Sequence, residues 1–173
     1  MVVVAILQSD AGAPPVVRGT VAPNFDLPQL GTSTGSDTAN LDLGSLTGRV
    51  VLVNFWATWC EPCEREMPAM ERLYQSLADQ PFELVAVAID EAESDVQLFQ
   101  DRYRLSFPIV LDLDQSVSQS YQTMGVPESL LLDREGRIVE RYVGPRAWDA
   151  PEHLERIEAL IEGKLTVPEP NSP

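Results

Sequence analysis

An α/β fold built on a sheet of mixed strand direction is predicted by three features of the sequence. Val50–Trp56 (VVLVNFW) and Leu84–Ile89 (LVAVAI) are nearly continuous apolar runs of strand length, as expected of central strands covered on both faces. Between them Met67, Met70, Tyr74 and Leu77 recur at helical spacing, giving one stripe to bury. Further on, Leu130–Leu132 and Ile138–Val143 flank Asp133-Arg134-Glu135-Gly136, a turn carrying its glycine, and read as an antiparallel hairpin. The order is a βαβα series, then a hairpin and a last helix.

The remaining elements follow in chain order. Residues 8–23 are rich in Pro, Gly and Ala and read as a linker, with ordered structure beginning at Pro23–Leu27. Gly31–Asn40 is a polar loop, and Leu41, Leu43 and Leu46 suggest a short strand and turn before Gly48. A helix is expected over Pro62–Ala78, kinked at Pro68, which lacks an N–H and crowds the preceding turn. A second covers Ser94–Tyr103, with Ser94 as N-cap and Val96, Leu98 and Phe99 as its apolar side. Ile109–Leu111 is a short strand and Gln115–Tyr121 a short helix. Pro151–Glu162 is the last helix, burying Leu154, Ile157, Leu160 and Ile161 and stopping at Gly163. This organises the chain as a tail or linker over 1–21, one domain over 22–163 and a disordered Pro-rich tail over 164–173.

The 173 residues carry a formal charge of −15, which excludes phosphate-backbone binding and disfavours anionic lipid. Val2–Leu7 is an apolar run far short of the roughly 20 residues that span a bilayer. No basic residues precede it, although Ala11-Gly12-Ala13 has the small-x-small form of a signal-cleavage site. Two expectations stand: a frayed tail or extra strand, or the trailing end of a signal or anchor segment.

The chain's only two cysteines, Cys60 and Cys63, lie within FWATWCEPCEREMP. A bridge between them closes so small a loop that it removes little entropy from the unfolded chain, which makes a purely stabilising role a poor explanation. A zinc or copper site needs more ligands; the only histidine, His153, is expected on the solvated side of the last helix. The strand-to-helix position favours redox chemistry. Cys60 opens a helix, where unpaired N–H groups and the positive end of the dipole favour the thiolate, the nucleophile of disulfide exchange. Cys63 lies one turn deeper on the same face and can attack a mixed disulfide formed at Cys60. Pro62 suits the first turn, where its missing N–H costs nothing.

Phe55–Cys63 (FWATWCEPC), with Pro68 beyond it, resembles the thioredoxin superfamily, and more closely its TlpA/ResA/CcmG type of extracytoplasmic, usually membrane-anchored thiol–disulfide oxidoreductases. The likeness runs from Ala22-Pro23 and Phe25 through VVLVNFWATWCEPC, EMP, FPIVLD at Phe107–Asp112, GVPES at Gly125–Ser129, and LLDREGRI. It implies a thioredoxin-like fold, a mixed sheet flanked by helices, with an N-terminal β-hairpin extension and an insertion. It places Pro127 where the family has a cis proline beside the active site, so that Val126 offers backbone to a substrate strand. Thioredoxins carry a buried aspartate where this chain has Asn54, which cannot accept a proton. Glu66 matches an active-site glutamate of the ResA-like branch and is expected to move a proton to or from Cys63; the alternative is an exposed helix residue paired with a neighbouring base, since spacing supports proximity and not burial.

Glu61 and Glu64 are expected at the surface of the helix N-terminus, where their charge opposes the Cys60 thiolate and tunes the couple toward reduction. Trp59 is expected to shield the cysteines or meet substrate, Trp56 to lie in the core and Trp148 to pack the last helix. The expected activity is reduction of protein disulfides: Cys60 attacks, Cys63 resolves, and the Cys60–Cys63 disulfide serves as the only redox group, without metal or other cofactor. By the resemblance, the substrates are disulfides of apocytochrome c haem-attachment sites or copper-site proteins, and a membrane thiol donor re-reduces the enzyme, a monomer. Two other classes remain open: a peroxiredoxin-like peroxidase, which would want Thr where Ala57 stands, and a copper-binding assembly protein, for which Met67 and Met124 are thin support.

Overall fold

The computed structural model describes residues 15–31, 39–90 and 92–167. Readings that fall on residues 1–14, 32–38 and 168–173, including the apolar N-terminal run, the Ala11-Gly12-Ala13 site, most of the polar loop and the end of the C-terminal tail, lie outside them. Strands β1 (Asp26–Pro28) and β2 (Asn40–Asp42) form a two-stranded antiparallel sheet. The main sheet contains β3 (Val50–Trp56), β4 (Phe82–Ala88), β5 (Ile109–Leu111), β6 (Glu128–Leu132) and β7 (Ile138–Val143) in the order β5-β4-β3-β6-β7. β3, β4 and β5 run parallel, while β6 and β7 are antiparallel to their neighbours. Helices α1 (Glu61–Ser76), α2 (Glu93–Tyr103), α3 (Ser116–Ser120) and α4 (Pro151–Ile161) connect them.

This is the thioredoxin-like architecture: a β3-α1-β4 unit and a β6-β7-α4 unit share the central sheet, and α2-β5 is inserted between them on the β4 edge. β3 is buried along its whole length because it lies between β4 and β6 and is covered on both faces. Side chains alternate across a strand. Val50, Leu52 and Trp56 therefore join Met67, Met70, Leu73, Phe99 and Ile157 in one core, and Val51, Val53 and Phe55 join Phe25, Leu43 and Tyr121 in the other. Pro68 lies inside α1, which continues through it to Ser76.

Several local expectations are corrected. Residues 16–21, read as linker, pack against the start of β7: Val16 is buried, Gly19 N–H donates to the Ile138 carbonyl at 2.8 Å, and Ile138 N–H donates to the Thr20 carbonyl at 2.9 Å. At the other end, Leu165 and Val167 pack on the core of the α1 face. The ordered chain thus extends beyond both expected domain boundaries, because apolar residues in otherwise loop-like composition find cover. The short strand and turn expected before Gly48 are present as β2 and a 3-10 turn over Leu43–Leu46 capped by Asp42. Ala92, not Ser94, is the N-cap of α2. Leu98 points to solvent, and Val96 and Phe99 alone carry the buried side. Among the described residues no helix is long and apolar enough to cross a membrane.

Candidate active site

β3 delivers the chain to the site. Beyond Trp56, Ala57–Trp59 turn back into α1, and Asp90, at the end of β4, holds that turn by accepting from the Thr58 N–H at 3.0 Å and from the Thr58 hydroxyl. Cys60 is the N-cap of α1, and Pro62 sits in the first turn. Cys60 and Cys63 are joined in a disulfide with Cα atoms 5.3 Å apart, and the Cys63 N–H donates to Cys60 Sγ at 3.2 Å. Cys60 keeps slight exposure whereas Cys63 has none. A partner can therefore reach only the first sulfur, and the helix N-terminus is aimed at it.

Glu66 is 2% exposed, so the surface reading of this residue is wrong. One turn beyond Cys63, it faces β3 and the loop after β7. Its Oε1 accepts from Asn54 Nδ2 at 3.1 Å; its Oε2 accepts from the Arg146 backbone N–H at 3.0 Å and from Trp148 Nε1 at 3.1 Å. Asn54 Nδ2 also donates to Ser129 Oγ at 2.9 Å, which ties the carboxylate to β6. Burial pushes the Glu66 carboxyl up from its ordinary value, against the N–H donors and the Arg146 charge that pull it down. A buried carboxyl whose pKa is raised by burial, held by a closed set of donors, is suited to take up and release a proton.

Glu128, the first residue of β6, is paired in register with Phe55 of β3, so Pro127 stands at the same end of the sheet as the β3–α1 turn. The Val126–Pro127 bond is cis. Val126 is half-buried and Pro127 buried, with Trp59 and Met124 exposed at 69% and 76%. This gives the disulfide end of the molecule an apolar surface beside the loop Met124–Pro127, which is exposed at Met124 and buried at Pro127.

The two outer carboxylates are not bare charges. Glu61 pairs with Arg65 one turn on, and Glu64 accepts from the Tyr103 hydroxyl and lies 3.8 Å from Arg102 of α2. Their field at Cys60 is correspondingly weaker than their sequence positions imply. His153 is half-buried rather than solvated: its ring packs at a tilt against Trp148 at 4.8 Å and meets Tyr142 edge-on at 5.7 Å. Sequence reasoning missed Arg146, Trp148 and Ser129 as partners of the site. Nothing in spacing joins a loop N–H to a carboxylate 80 residues earlier. The one available signal was the polar pair Glu128-Ser129 heading a strand that ends in three leucines.

The family model described as Redoxin matches residues 18–161. The chain belongs to the redoxin family. Thiol-disulfide oxidoreductase ResA of Halalkalibacterium halodurans is 42% identical to this redoxin over 126 residues, covering 73% of this chain and 68% of its own. ResA of Bacillus subtilis is 36% identical over 134 residues, covering 78% and 72%. Among solved structures, a protein from Chlorobium tepidum assigned as thiol:disulfide interchange protein DsbE superposes with a TM-score of 0.71 at 31% identity, over 87% of this chain and 99% of its own. This redoxin is accordingly a ResA-like thiol–disulfide oxidoreductase with a Cys60–Cys63 pair, and a disulfide-containing protein is its class of substrate.

Proposed function

We propose that this redoxin works outside the cytoplasm as a reductant of protein disulfides. The observation that carries the reading is the pairing of a disulfide at a helix N-terminus with a buried carboxyl, Glu66, one turn behind it. In the reduced enzyme the Cys60 thiolate attacks one sulfur of the substrate disulfide, forming a mixed disulfide and releasing the first substrate thiol. Glu66 takes the proton of Cys63, whose thiolate attacks Cys60 Sγ and expels the second substrate sulfur, which takes that proton back from Glu66. Two electrons pass to the substrate, the first released sulfur takes its proton from solvent, and the Cys60–Cys63 disulfide of the present structure is the product state. Trp59, Val126 and Pro127 present the docking surface. Pro62 and Glu61 shape the first turn of α1.

The resemblance to the TlpA/ResA/CcmG type supports closely spaced cysteines of apocytochrome c or of a copper-site protein as the substrate disulfide. It also supports a membrane thiol donor for re-reduction. The dithiol needs no further cofactor for this chemistry. Glu61 and Glu64, although each has a partner, still place negative charge at the start of α1 against the Cys60 thiolate, and so make the couple more reducing. Equilibration with dithiothreitol or glutathione buffers is therefore expected to give a potential nearer the thioredoxin level, about −270 mV, than the strongly oxidising level of about −120 mV. A value above roughly −180 mV would contradict the reductant role.

A further inference from the structure

The Met124–Pro127 loop has an anchor that the exchange chemistry does not use. Glu128 is fully buried yet charged, and its Oε2 accepts the Met124 N–H at 2.9 Å. Its Oε1 lies 2.8 Å from Arg141 Nη1, an ion pair by proximity whose N–H is not aligned on the oxygen as a hydrogen bond. Arg141 stands opposite Leu130 on β7, diagonal to Glu128, within the reach of a long side chain across a strand pair. Its guanidinium spreads further: Nη2 donates to the Tyr121 carbonyl at 2.6 Å and Nη1 to the Gln122 carbonyl at 3.2 Å. One planar fork thus joins the end of α3, the loop and the β6–β7 hairpin. A guanidinium does this where an ammonium cannot, because its donors are fixed in one plane.

We propose that Arg141, acting through Glu128, is a positioning residue that sets the loop in its substrate-accepting conformation. This rests on the reading of Met124–Pro127 as the docking edge. Met124 is exposed, and no atom outside its chain neighbours would lie within 4 Å of a Cβ at Gly125, so the middle of the loop has little packing of its own. The shape of its backbone is therefore set largely from its ends, and Arg141 and Glu128 hold the Tyr121–Met124 end. Burying a carboxylate at the head of a strand is costly unless it is paired, and the pairing holds the loop as well as neutralising the charge. A loop already ordered accepts an extended partner without the entropy of ordering it at each encounter.

The test compares wild type with Arg141→Met, which keeps the aliphatic stem, and Arg141→Lys, which keeps the charge but not the fork. The substrate is a disulfide-bonded peptide containing Cys-x-x-Cys-His. Arg141→Met is expected to raise KM for the peptide about tenfold through the cost of ordering the loop, with kcat, the Cys60–Cys63 potential and the rate with oxidised dithiothreitol unchanged. Arg141→Lys should fall between the two. Hydrogen exchange at Met124 should accelerate in Arg141→Met whether or not the peptide is a good substrate. Unchanged exchange at Met124, or a KM equal to wild type with only thermal stability lowered, overturns the proposal. Failure of wild type itself to reduce the peptide counts against the substrate reading, and the exchange measurement then decides the clamp alone.

Discussion

Glu66→Gln is expected to slow disulfide exchange near neutral pH by about a hundredfold, the low end for a positioned proton carrier, while the fold stays nearly intact. The reason lies in the donors around the carboxylate. Oε2 takes the Arg146 N–H and Trp148 Nε1, so a glutamine carbonyl can occupy that side unchanged. Its amide then faces Asn54, whose own Oδ1 has no hydrogen-bond partner in the buried network. A turn of the Asn54 amide presents that oxygen as acceptor to the glutamine amide and to the Ser129 hydroxyl, and leaves the Asn54 amide nitrogen as the one unpaired group in place of its oxygen. Glu66→Leu has no such remedy. It strands the Arg146 N–H, Trp148 Nε1 and the Asn54 amide, and each buried unpaired donor costs about 1–3 kcal/mol.

Glu66 also leaves a mark on stability against pH. Its pKa in the folded protein is raised above the ordinary 4.5, so between 4.5 and the raised value the native state binds more protons than the unfolded chain. The contribution of this group is thus most favourable at or below pH 4.5, falls as pH rises through that window and is level above it. Urea melts at several pH values should show this slope in the wild type and its loss in Glu66→Gln.

Trp148→Ala is expected to be the most damaging substitution in the supporting shell, costing about 3–5 kcal/mol as a large buried ring is removed. Trp148 is 1% exposed and packs edge-on to Tyr142 at 5.1 Å and against His153. Trp148→Phe separates packing from hydrogen bonding. It retains most of the ring contact but removes the Nε1 donor, so the Glu66 carboxylate loses one of the groups that lower its pKa. The stability of Trp148→Phe should stay close to wild type in a thermal melt, while its pH–rate profile moves to higher pH. A profile unchanged from wild type would show that the indole N–H has no part in tuning Glu66.

The chemistry of this protein is written locally in its sequence, and its tuning is not. The apolar runs of β3 and β4, the stripe of α1 and the turn before β7 depend on neighbours in sequence, so periodicity reveals them. The same holds for Cys60 and Cys63, whose meaning comes from a strand ending and a helix beginning around them. Glu66 was legible as a residue near Cys63 but not as a buried one, because its partners come from β3 and from the loop after β7. Glu61 and Arg65 could have been paired by the helical four-residue rule, whereas Glu64 and Tyr103 lie 39 positions apart and meet only when α2 packs on α1. Leu98 misled because an apolar residue at a helical position need not face the core. Residues 16–21 misled because Pro, Gly and Ala content describes a backbone's freedom and not the strand it finds to lie against.

The central proposal is that Cys60 attacks a partner's disulfide and Cys63 releases it. Expression of Cys63→Ser in cells, followed by non-reducing capture and mass spectrometry, tests it most directly. The expected result is a set of covalent adducts through Cys60, reversed by dithiothreitol, on proteins with closely spaced cysteines, and their loss when Cys60 is replaced as well. Absence of any adduct, or adducts that persist without Cys60, would contradict it.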